Sequence, residues 1–310
     1  MSYPDIYGPI DAVYQQRYAD NVRLQVQLTR DPFDGAYEII PNARGREIQA
    51  VDLVGKSECL FDQPDDAPTP NIPPSHEGIY AQPRKMNWGR LIKRGDEIKA
   101  AVDFQSIYVR EGAAALVRGK AKLLAAALVG PRLIRNDNTG AINSVPYDQT
   151  NRVIANNYQY GGGGATAGLT VQKWIKAMEM LGKTDLDVDT EDLTAAMTMK
   201  ENTDLYNQLQ VTNMLYVNRA QFEEKTVKVF MGVRIKIYNY LPMDPTGAYR
   251  QIPMWARSGL HWGDFEPLAT FLERNPSLNF QPHAYLEQWG GATRSEDEKV
   301  VLINCDPTVQ

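Results

Sequence analysis

The clearest pattern in the chain is a helical repeat of apolar positions between Ile107 and Val129. The residues that recur at intervals of three and four are Ala113, Val117, Ala121, Leu124 and Leu128. This spacing places them on one stripe of an α-helix. Gly130 and Pro131 follow and are typical of a helix end. At 1.5 Å per residue, the segment predicts a helix roughly 35 Å long.

A long polar excursion precedes this helix. Two limbs, Ile48 to Phe61 and Ile79 to Val102, carry loosely alternating apolar residues and predict a long two-stranded ribbon. Between the limbs, residues 62–74 contain five prolines and several acidic residues. Because the excursion has too little apolar content to pack on its own body, we expect it to be either disordered or ordered by a neighbouring copy.

The charges of the excursion are unevenly distributed. Its tip is acidic and its returning limb is basic, which suits contacts between neighbouring copies of the chain. An ordinary surface loop with solvated charges is the other interpretation of the same pattern. The candidate residues for intersubunit contacts are Asp65, Asp66, Lys85, Arg90, Lys93 and Arg94.

The remaining patterns mix helices and strands. Thr170 to Leu181 predicts a second amphipathic helix with Thr170 as its N-cap, and Thr226 to Leu241 alternates as a strand does. The apolar face predicted for this second helix consists of Val171, Trp174, Ile175, Met178 and Leu181. The other predicted elements are an arm at 10–30, a strand at 193–199, a helix or irregular connection at 203–214, a short helix at 267–274, and strands at 283–289 and 299–305. Together they predict an α+β fold.

Composition narrows the class of protein. The 310 residues allow one large domain or two smaller ones. The formal net charge of −5 argues against a dedicated nucleic-acid binder, whose affinity would come from clustered lysines and arginines. Two cysteines, Cys59 and Cys305, are too few for a disulfide framework and favour a reducing cytoplasm. Neither a signal peptide nor a membrane-spanning apolar run is visible in the sequence.

Two glycine-containing segments resemble phosphate-binding motifs only in part. Gly182-Lys183-Thr184 matches the end of a P-loop, but that motif needs a glycine at position 177, where the chain has alanine. Residues 162–167 fit a loose dinucleotide motif, yet no strand pattern precedes them. A helix end and a loop that enters a helix are the better interpretations. We therefore predict no cofactor site.

The acidic residues and histidines do not form a recognisable metal or catalytic motif. In the acidic run from Asp185 to Asp192, a calcium loop would need glycine and glutamate where Thr190 and Ala196 stand. The three histidines, His76, His261 and His283, are far apart and lack a ligand partner at helical spacing. We therefore predict no metal site, no catalytic residues and no enzyme activity.

The order of several segments, taken together, resembles a known family. These segments are the arm at 16–28, the ribbon and long helix, Gly168 to Met178, Leu205 to Leu209, Met231 to Pro242, Ala256 to Gly263, Gly290 to Arg294 and Val300 to Asn304. In this order and spacing, the chain resembles a tailed-phage major capsid protein with the Hong Kong ninety-seven type of fold, in the branch that lacks a fused scaffold domain.

The resemblance implies a division of the chain into four parts. Residues 1–49 would form an N-terminal arm, and residues 50–103 an extended β-ribbon loop that lies over a neighbouring subunit. Residues 104–139 and 254–310 would form a peripheral domain with a long spine helix. Residues 140–253 would form an axial domain, and the axial domains would meet at the centres of the rings.

The resemblance also implies the function and the partners. The chain would self-assemble into homo-pentamers and homo-hexamers of an icosahedral shell that encloses the double-stranded DNA genome of a tailed phage. A separate scaffolding protein and a portal would be its partners, with a decoration protein as a further candidate and only weak, non-specific contact with DNA. The chain would be in the host cytoplasm before assembly and in the virion afterwards. Two alternatives stay open: an encapsulin-like nanocompartment shell, and a cytosolic α/β enzyme with a lid at 50–102.

Overall fold

A computed structural model describes residues 27–45, 48–61, 64, 69, 71–72, 74–92, 104–135, 140–208, 227–275 and 281–308. Within these residues, the helices are α1 (Phe104–Val129), α2 (Val171–Gly182) and α3 (Met199–Asn207). The strands are β1 (Glu38–Ile40), β2 (Ile48–Val54), β3 (His76–Ala81), β4 (Arg84–Leu91), β5 (Arg132–Arg135), β6 (Ile142–Val145), β7 (Val153–Ile154), β8 (Tyr158–Gln159), β9 (Gly162–Gly163), β10 (Leu193–Met197), β11 (Val229–Phe230), β12 (Val233–Ile237), β13 (Arg250–Ala256), β14 (Leu260–Asn275), β15 (Gln281–Arg294) and β16 (Val300–Cys305). The mixture of helices and sheets confirms the α+β prediction.

The strands of the described residues form three larger sheets and one small hairpin. The six-stranded sheet has the order β11-β12-β10-β13-β16-β7, and its inner strands β10 and β16 are almost entirely buried. A four-stranded sheet has the order β2-β3-β5-β6, and a second one has the order β1-β14-β15-β4. Among the described strands, β8 and β9 pair with each other alone.

The chain groups into two compact units. The first takes residues 1–31, 84–120 and 266–290, and the second takes residues 32–83, 121–265 and 291–310. Helix α1 and strands β14 and β15 each contribute residues to both units.

The core of the second unit is built around Trp255 and aliphatic side chains of the six-stranded sheet. Trp255 on β13 is fully buried, and its indole N–H donates to the Ala36 carbonyl oxygen at 2.8 Å. Phe33, also fully buried, packs edge-on against Trp255 and Tyr238. This contact attaches the segment before β1 to the sheet, because a buried aromatic ring contributes a large apolar area.

The first unit packs the N-terminal half of α1 on the pair β4–β15. Ala284 and Leu286 of β15 are buried, and Trp88 pairs with Leu286 across the two strands. A Cβ atom at Gly112 of α1 would come within 2.6 Å of the Trp88 ring and 2.9 Å of Leu286. The absence of a side chain at Gly112 therefore lets the helix approach the sheet.

Both predicted helices are confirmed. In α1, Ala121, Leu124 and Leu128 are buried as predicted. Towards its N-terminus the described buried positions are Ile107, Gly112, Ala114 and Leu116, and the last three are each one residue away from the predicted stripe. The hydroxyl of Thr170 accepts from the Lys173 amide at 3.3 Å and caps α2 as predicted. The predicted apolar face of α2 needs one correction, because Ile175 is 49% exposed and Ala177 is buried instead.

The predicted long ribbon is correct only in its first part. Strands β2 and β3 pair antiparallel, with Ile48 opposite Ala81 and Val54 opposite His76. The rest of the returning limb, β4, pairs with β15 instead. Pro83 separates the two strands, and proline has no N–H to continue a ladder. The prediction for residues 93–102 lies outside the described residues.

Two other predictions gave the wrong secondary structure. The single strand predicted at 226–241 is a hairpin of β11 and β12, turned by Met231 and Gly232, both with positive φ. The short helix predicted at 267–274 belongs to the long strand β14. Its apolar residues Leu268, Phe271 and Leu272 happen to have helical spacing, but pairing within a sheet determined the outcome.

Candidate functional site

The base of the extended loop is fixed by backbone hydrogen bonds within the chain. Strands β2 and β3 form its two limbs, and β5 continues the same sheet beside β3. Beyond the last strand pair, the Gly55 amide donates to the Ser75 carbonyl oxygen at 2.6 Å. The chain between these two residues forms the tip of the loop, which we define as residues 56–74.

The described apolar side chains of the tip face solvent. Phe61 is 81% exposed, Leu60 is 53% exposed and Ile72 is 43% exposed. Burial of apolar area contributes roughly 25 cal/mol per Å², so these side chains add little to the stability of the isolated subunit. Neighbouring exposed apolar residues of this kind are typical of a surface that contacts another protein.

One ion pair joins the start of the tip to the loop after α2. The Lys56 ammonium contacts the Asp185 carboxylate, and this hydrogen bond holds the pKa of Asp185 below its usual range. Both side chains are strongly exposed, so the pair contributes little to stability. It borders a cleft of about 610 Å³ whose walls carry four basic and four acidic side chains.

Two of the six predicted contact residues lie in the described part of the chain, both on β4. The Lys85 ammonium lies 3.0 Å from the Glu287 carboxylate. The guanidinium of Arg90 lies 4.3 Å from the centre of the Tyr108 ring. The other four, Asp65, Asp66, Lys93 and Arg94, lie outside the described residues. A role of all six in contacts between subunits stays a prediction.

A buried arginine that sequence reasoning missed holds the C-terminal end of α1. Arg294 has no exposed surface at its side chain. Its Nη1 donates to the carbonyl oxygens of Ala127, Leu128 and Gly130 at 3.1, 3.0 and 2.8 Å. These carbonyls have no partner within the helix, and a cation there also compensates the negative end of the helix dipole.

The charge of Arg294 is balanced next to the helix end. Its Nε donates to the Asp297 carboxylate at 2.8 Å, and its guanidinium lies 4.7 Å from the centre of the Tyr147 ring. Burial lowers the pKa of Arg294 and raises that of Tyr147. We call Arg294, Asp297 and Tyr147 the arginine hub. Because Arg294 contacts both other members and the carbonyl groups at the end of α1, the hub is suited to fixing the helix end.

A second buried cation joins α2 to β16. The Lys173 ammonium donates to the carbonyl oxygens of Ala167, Gly168 and Asn304 at 2.8, 2.8 and 3.1 Å. Burial lowers the pKa of Lys173, and burial also raises the pKa of the nearby Cys305 thiol to about 12. A protonated, fully buried thiol is a poor nucleophile. Lys173 and Cys305 therefore have a structural role in the core.

The weak motifs of the sequence have structural roles. Gly182 and Lys183 are the last residue and the C-cap of α2, and Gly162 and Gly163 form β9 of the small hairpin. Among the described residues, no cluster of three or more histidine, cysteine or acidic side chains is placed to hold a metal ion. Nor does any helix in this part of the chain have the length and apolar character to cross a membrane.

Comparison with known proteins identifies the family. The sequence model of a family described as phage capsid protein matches residues 10–307. The chain belongs to this phage capsid protein family. It is a major capsid protein, a structural protein whose place is the virion shell. No curated protein sequence matches the chain significantly.

Solved capsid structures share the fold of this capsid protein at low sequence identity. The capsid of cyanophage P-SCSP1u matches with a TM-score of 0.72 at 14% identity, over 98% of this chain and 96% of that one. The capsid of Ralstonia phage GP4 matches over the full length of both chains, with a TM-score of 0.68 at 11% identity. The capsid of a native GTA particle matches with a TM-score of 0.65 at 12% identity, over 98% and 99%.

These findings confirm the resemblance drawn from the order of the sequence segments. They favour a phage coat over an encapsulin-like shell, and over an enzyme with a lid at 50–102. The matched structures are capsid assemblies, which supports self-association of this chain into a shell.

Proposed function

We propose that the chain forms homo-pentamers and homo-hexamers that tile an icosahedral shell around the double-stranded DNA genome of a tailed phage. The family match over residues 10–307 is the observation that carries this proposal. The exposed apolar tip supports it, because Phe61 and Leu60 would gain burial only against another molecule. The subunit acts by self-association and performs no catalysis.

In this proposal the chain divides as its family resemblance implies. Residues 1–49 are the N-terminal arm, and 50–103 are the extended loop. Its tip lies over a neighbour, while β4 at its returning end stays paired with β15 of its own subunit. The peripheral domain comprises 104–139 and 254–310 with α1 as its spine helix, and the axial domain comprises 140–253. Contacts between subunits involve Asp65, Asp66, Lys85, Arg90, Lys93 and Arg94, which set register more than affinity.

The assembly of such a shell also requires partners other than the chain itself. A separate scaffolding protein and a portal act during assembly in the host cytoplasm, and a decoration protein is a further candidate. Contact with packaged DNA is weak and sensitive to salt, because the net charge of the subunit is −5. Nanomolar binding to DNA at physiological salt would contradict this.

Co-expression with candidate scaffolding proteins, followed by negative-stain electron microscopy, tests the proposal. We expect closed shells or open curved sheets. A stable small oligomer under all conditions that also binds a nucleotide would support the enzyme with a lid and contradict the shell.

Deletion of residues 62–74 tests the role of the loop within the proposed shell. We expect a folded subunit that assembles poorly, since Gly55 and Ser75 close the base of the loop beneath the deleted segment. The matched control replaces the same thirteen positions with a glycine–serine linker of equal length. A deletion that unfolds the subunit would show that the segment packs on its own body.

A further inference from the structure

One face of the pair β4–β15 carries a row of aromatic rings. Along β15, Ala284 and Leu286 are buried, whereas His283, Tyr285 and Trp289 alternate with them and are half-buried. Successive side chains of a strand point to opposite faces of the sheet. The three rings therefore share the face opposite to the one that packs on α1, and we call this face the aromatic face.

The rings of the aromatic face are held at fixed spacing. His283 and Tyr285 are stacked with centroids 6.1 Å apart, and the ring of Phe271 on β14 lies 6.2 Å from that of Tyr285. Gly89, which is opposite Tyr285 on β4, leaves room for them. A Cβ at Gly89 would come within 3.1 Å of the His283 ring and 3.3 Å of the Tyr285 ring.

The polar atoms at the edge of this face are satisfied by one carboxylate. Glu287 accepts hydrogen bonds from the Tyr285 hydroxyl and the Trp289 indole, and it pairs with Lys85 at 3.0 Å. The hydrogen bond from Tyr285, followed by those from Lys85 and Trp289, lowers the pKa of Glu287 to about 2. Because the Tyr285 hydroxyl and the Trp289 indole N–H are engaged, these two rings offer apolar surfaces to solvent.

The aromatic face is open. Phe271 is 46% exposed, Leu91 is 39% exposed, and the Lys85 side chain is 41% exposed. Rigid aromatic rings side by side on a surface are the kind of site that binds a polyproline II helix, whose extended conformation is formed before binding and loses little entropy.

The chain itself contains a segment with this chemistry. Residues 62–74 hold five prolines, including the spacing Pro70-Asn-Ile-Pro73. With about three residues per turn of polyproline II, Pro64, Ala67, Pro70 and Pro73 would share one ridge of the helix. The acidic residues of the segment complement Arg84, which is exposed at the edge of this face where β4 begins, whereas Lys85 is already paired with Glu287.

We propose that the aromatic face of one subunit binds the proline-rich segment 62–74 of a second copy in polyproline II conformation. This inference rests on the proposed function, because it needs copies of the chain side by side in a shell. It goes further by assigning the receiving surface and the mode of recognition. Three apolar side chains that are exposed in the isolated subunit would then be covered by the neighbour. Leu60 and Phe61 precede the bound segment, and Ile72 lies within it.

Cross-linking between two differently tagged chains tests the proposal in assembled particles. Both chains carry Cys59→Ser, which leaves the buried Cys305 as the remaining native thiol. One chain carries Thr69→Cys in the tip. The other carries Asn87→Cys, opposite Glu287 on the aromatic face. Particles co-assembled from the two chains are treated with a short bismaleimide, which tolerates small differences in register.

We expect a covalent product that contains both tags. The matched control moves the second cysteine to Asp189, an exposed residue in the loop after α2, where we expect no product. Particles that form without a product at Asn87→Cys, or with equal products at both positions, would overturn the proposal and leave the shell function intact. Unsubstituted chains that form no particles with any scaffolding protein would overturn both.

Variants of the rings separate recognition from folding. Tyr285→Ala removes a ring and should abolish most of the cross-linked product, whereas Tyr285→Phe keeps the ring and should retain it. Pro70→Ala combined with Pro73→Ala should reduce the product as Tyr285→Ala does. Thermal unfolding of each unassembled variant checks that the subunit is folded. Equal products from Tyr285→Ala and Tyr285→Phe in folded subunits would contradict binding through the rings.

Discussion

Arg294 and Phe61 belong to two regions of this capsid protein that are stabilised in different ways. Arg294 is fully buried, and three carbonyl groups and Asp297 of the same chain accept hydrogen bonds from it. Phe61 is 81% exposed at the tip of a loop whose base is closed by hydrogen bonds. A shell subunit can therefore have a well-packed core and still carry a segment whose apolar residues stay exposed until a neighbour covers them.

The largest expected effect concerns the arginine hub. Arg294→Ala should lower the free energy of unfolding by about 4 kcal/mol, because it leaves Asp297 and the end carbonyls of α1 without their buried partner. Urea unfolding of the unassembled subunit measures this. Arg257→Ala, at an exposed arginine, is the control and should change the stability by less than about 0.5 kcal/mol. Equal effects of the two variants would contradict the role of the hub.

The next prediction compares two phenylalanines. Phe33→Ala should cost about 3 kcal/mol, because the ring is fully buried against Trp255 and Tyr238. Phe61→Ala should leave the stability of the isolated subunit unchanged but reduce the yield of particles. Chemical unfolding measures the first effect and electron microscopy the second. If Phe61→Ala destabilised the isolated subunit as strongly as Phe33→Ala, the tip would pack on its own body.

A smaller effect is expected at the start of α2. Thr170→Ala removes the hydroxyl that accepts from the Lys173 amide and should cost about 1 kcal/mol. Thr170→Ser keeps the hydroxyl and should restore most of the stability. A loss of the same size in both variants would mean that the cap contributes nothing through its hydrogen bond.

The last prediction needs no mutation and compares the reaction rates of the two thiols, Cys59 and Cys305. In the native unassembled subunit, Cys59 is exposed and should react with a thiol reagent, whereas Cys305 is buried, its pKa raised to about 12, and should react only after unfolding. In assembled shells, the rate at Cys59 should fall if a neighbour covers the tip. Mass spectrometry after timed labelling measures both rates. Rapid labelling of Cys305 in the folded subunit would contradict its burial.

The parts of the fold that could be predicted from sequence are those with local signals. The stripe of α1 and the Thr170 cap of α2 depend on residues within a few positions of each other, so their patterns were sufficient. The order of such segments was also specific enough to indicate the capsid family. The exposed, proline-rich tip could be predicted from composition, because a segment rich in proline and acidic residues has too little apolar content to form a core.

The parts that could not be predicted depend on distant partners. Arg294 bonds to carbonyl groups 164 to 167 residues away, and no local pattern indicates such a contact. The second half of the returning limb left the ribbon because β15, about 200 residues later, offered a strand to pair with. The aromatic face was missed for the same reason, since β4, β14 and β15 bring its rings together only in the folded chain.

An electron cryomicroscopy map of particles assembled from this chain tests the central claim most directly. We expect the tip of the extended loop, residues 56–74, to be ordered and to lie on a neighbouring subunit. Density that places the tip on its own subunit, or shells in which the tip contacts no other copy, would contradict it.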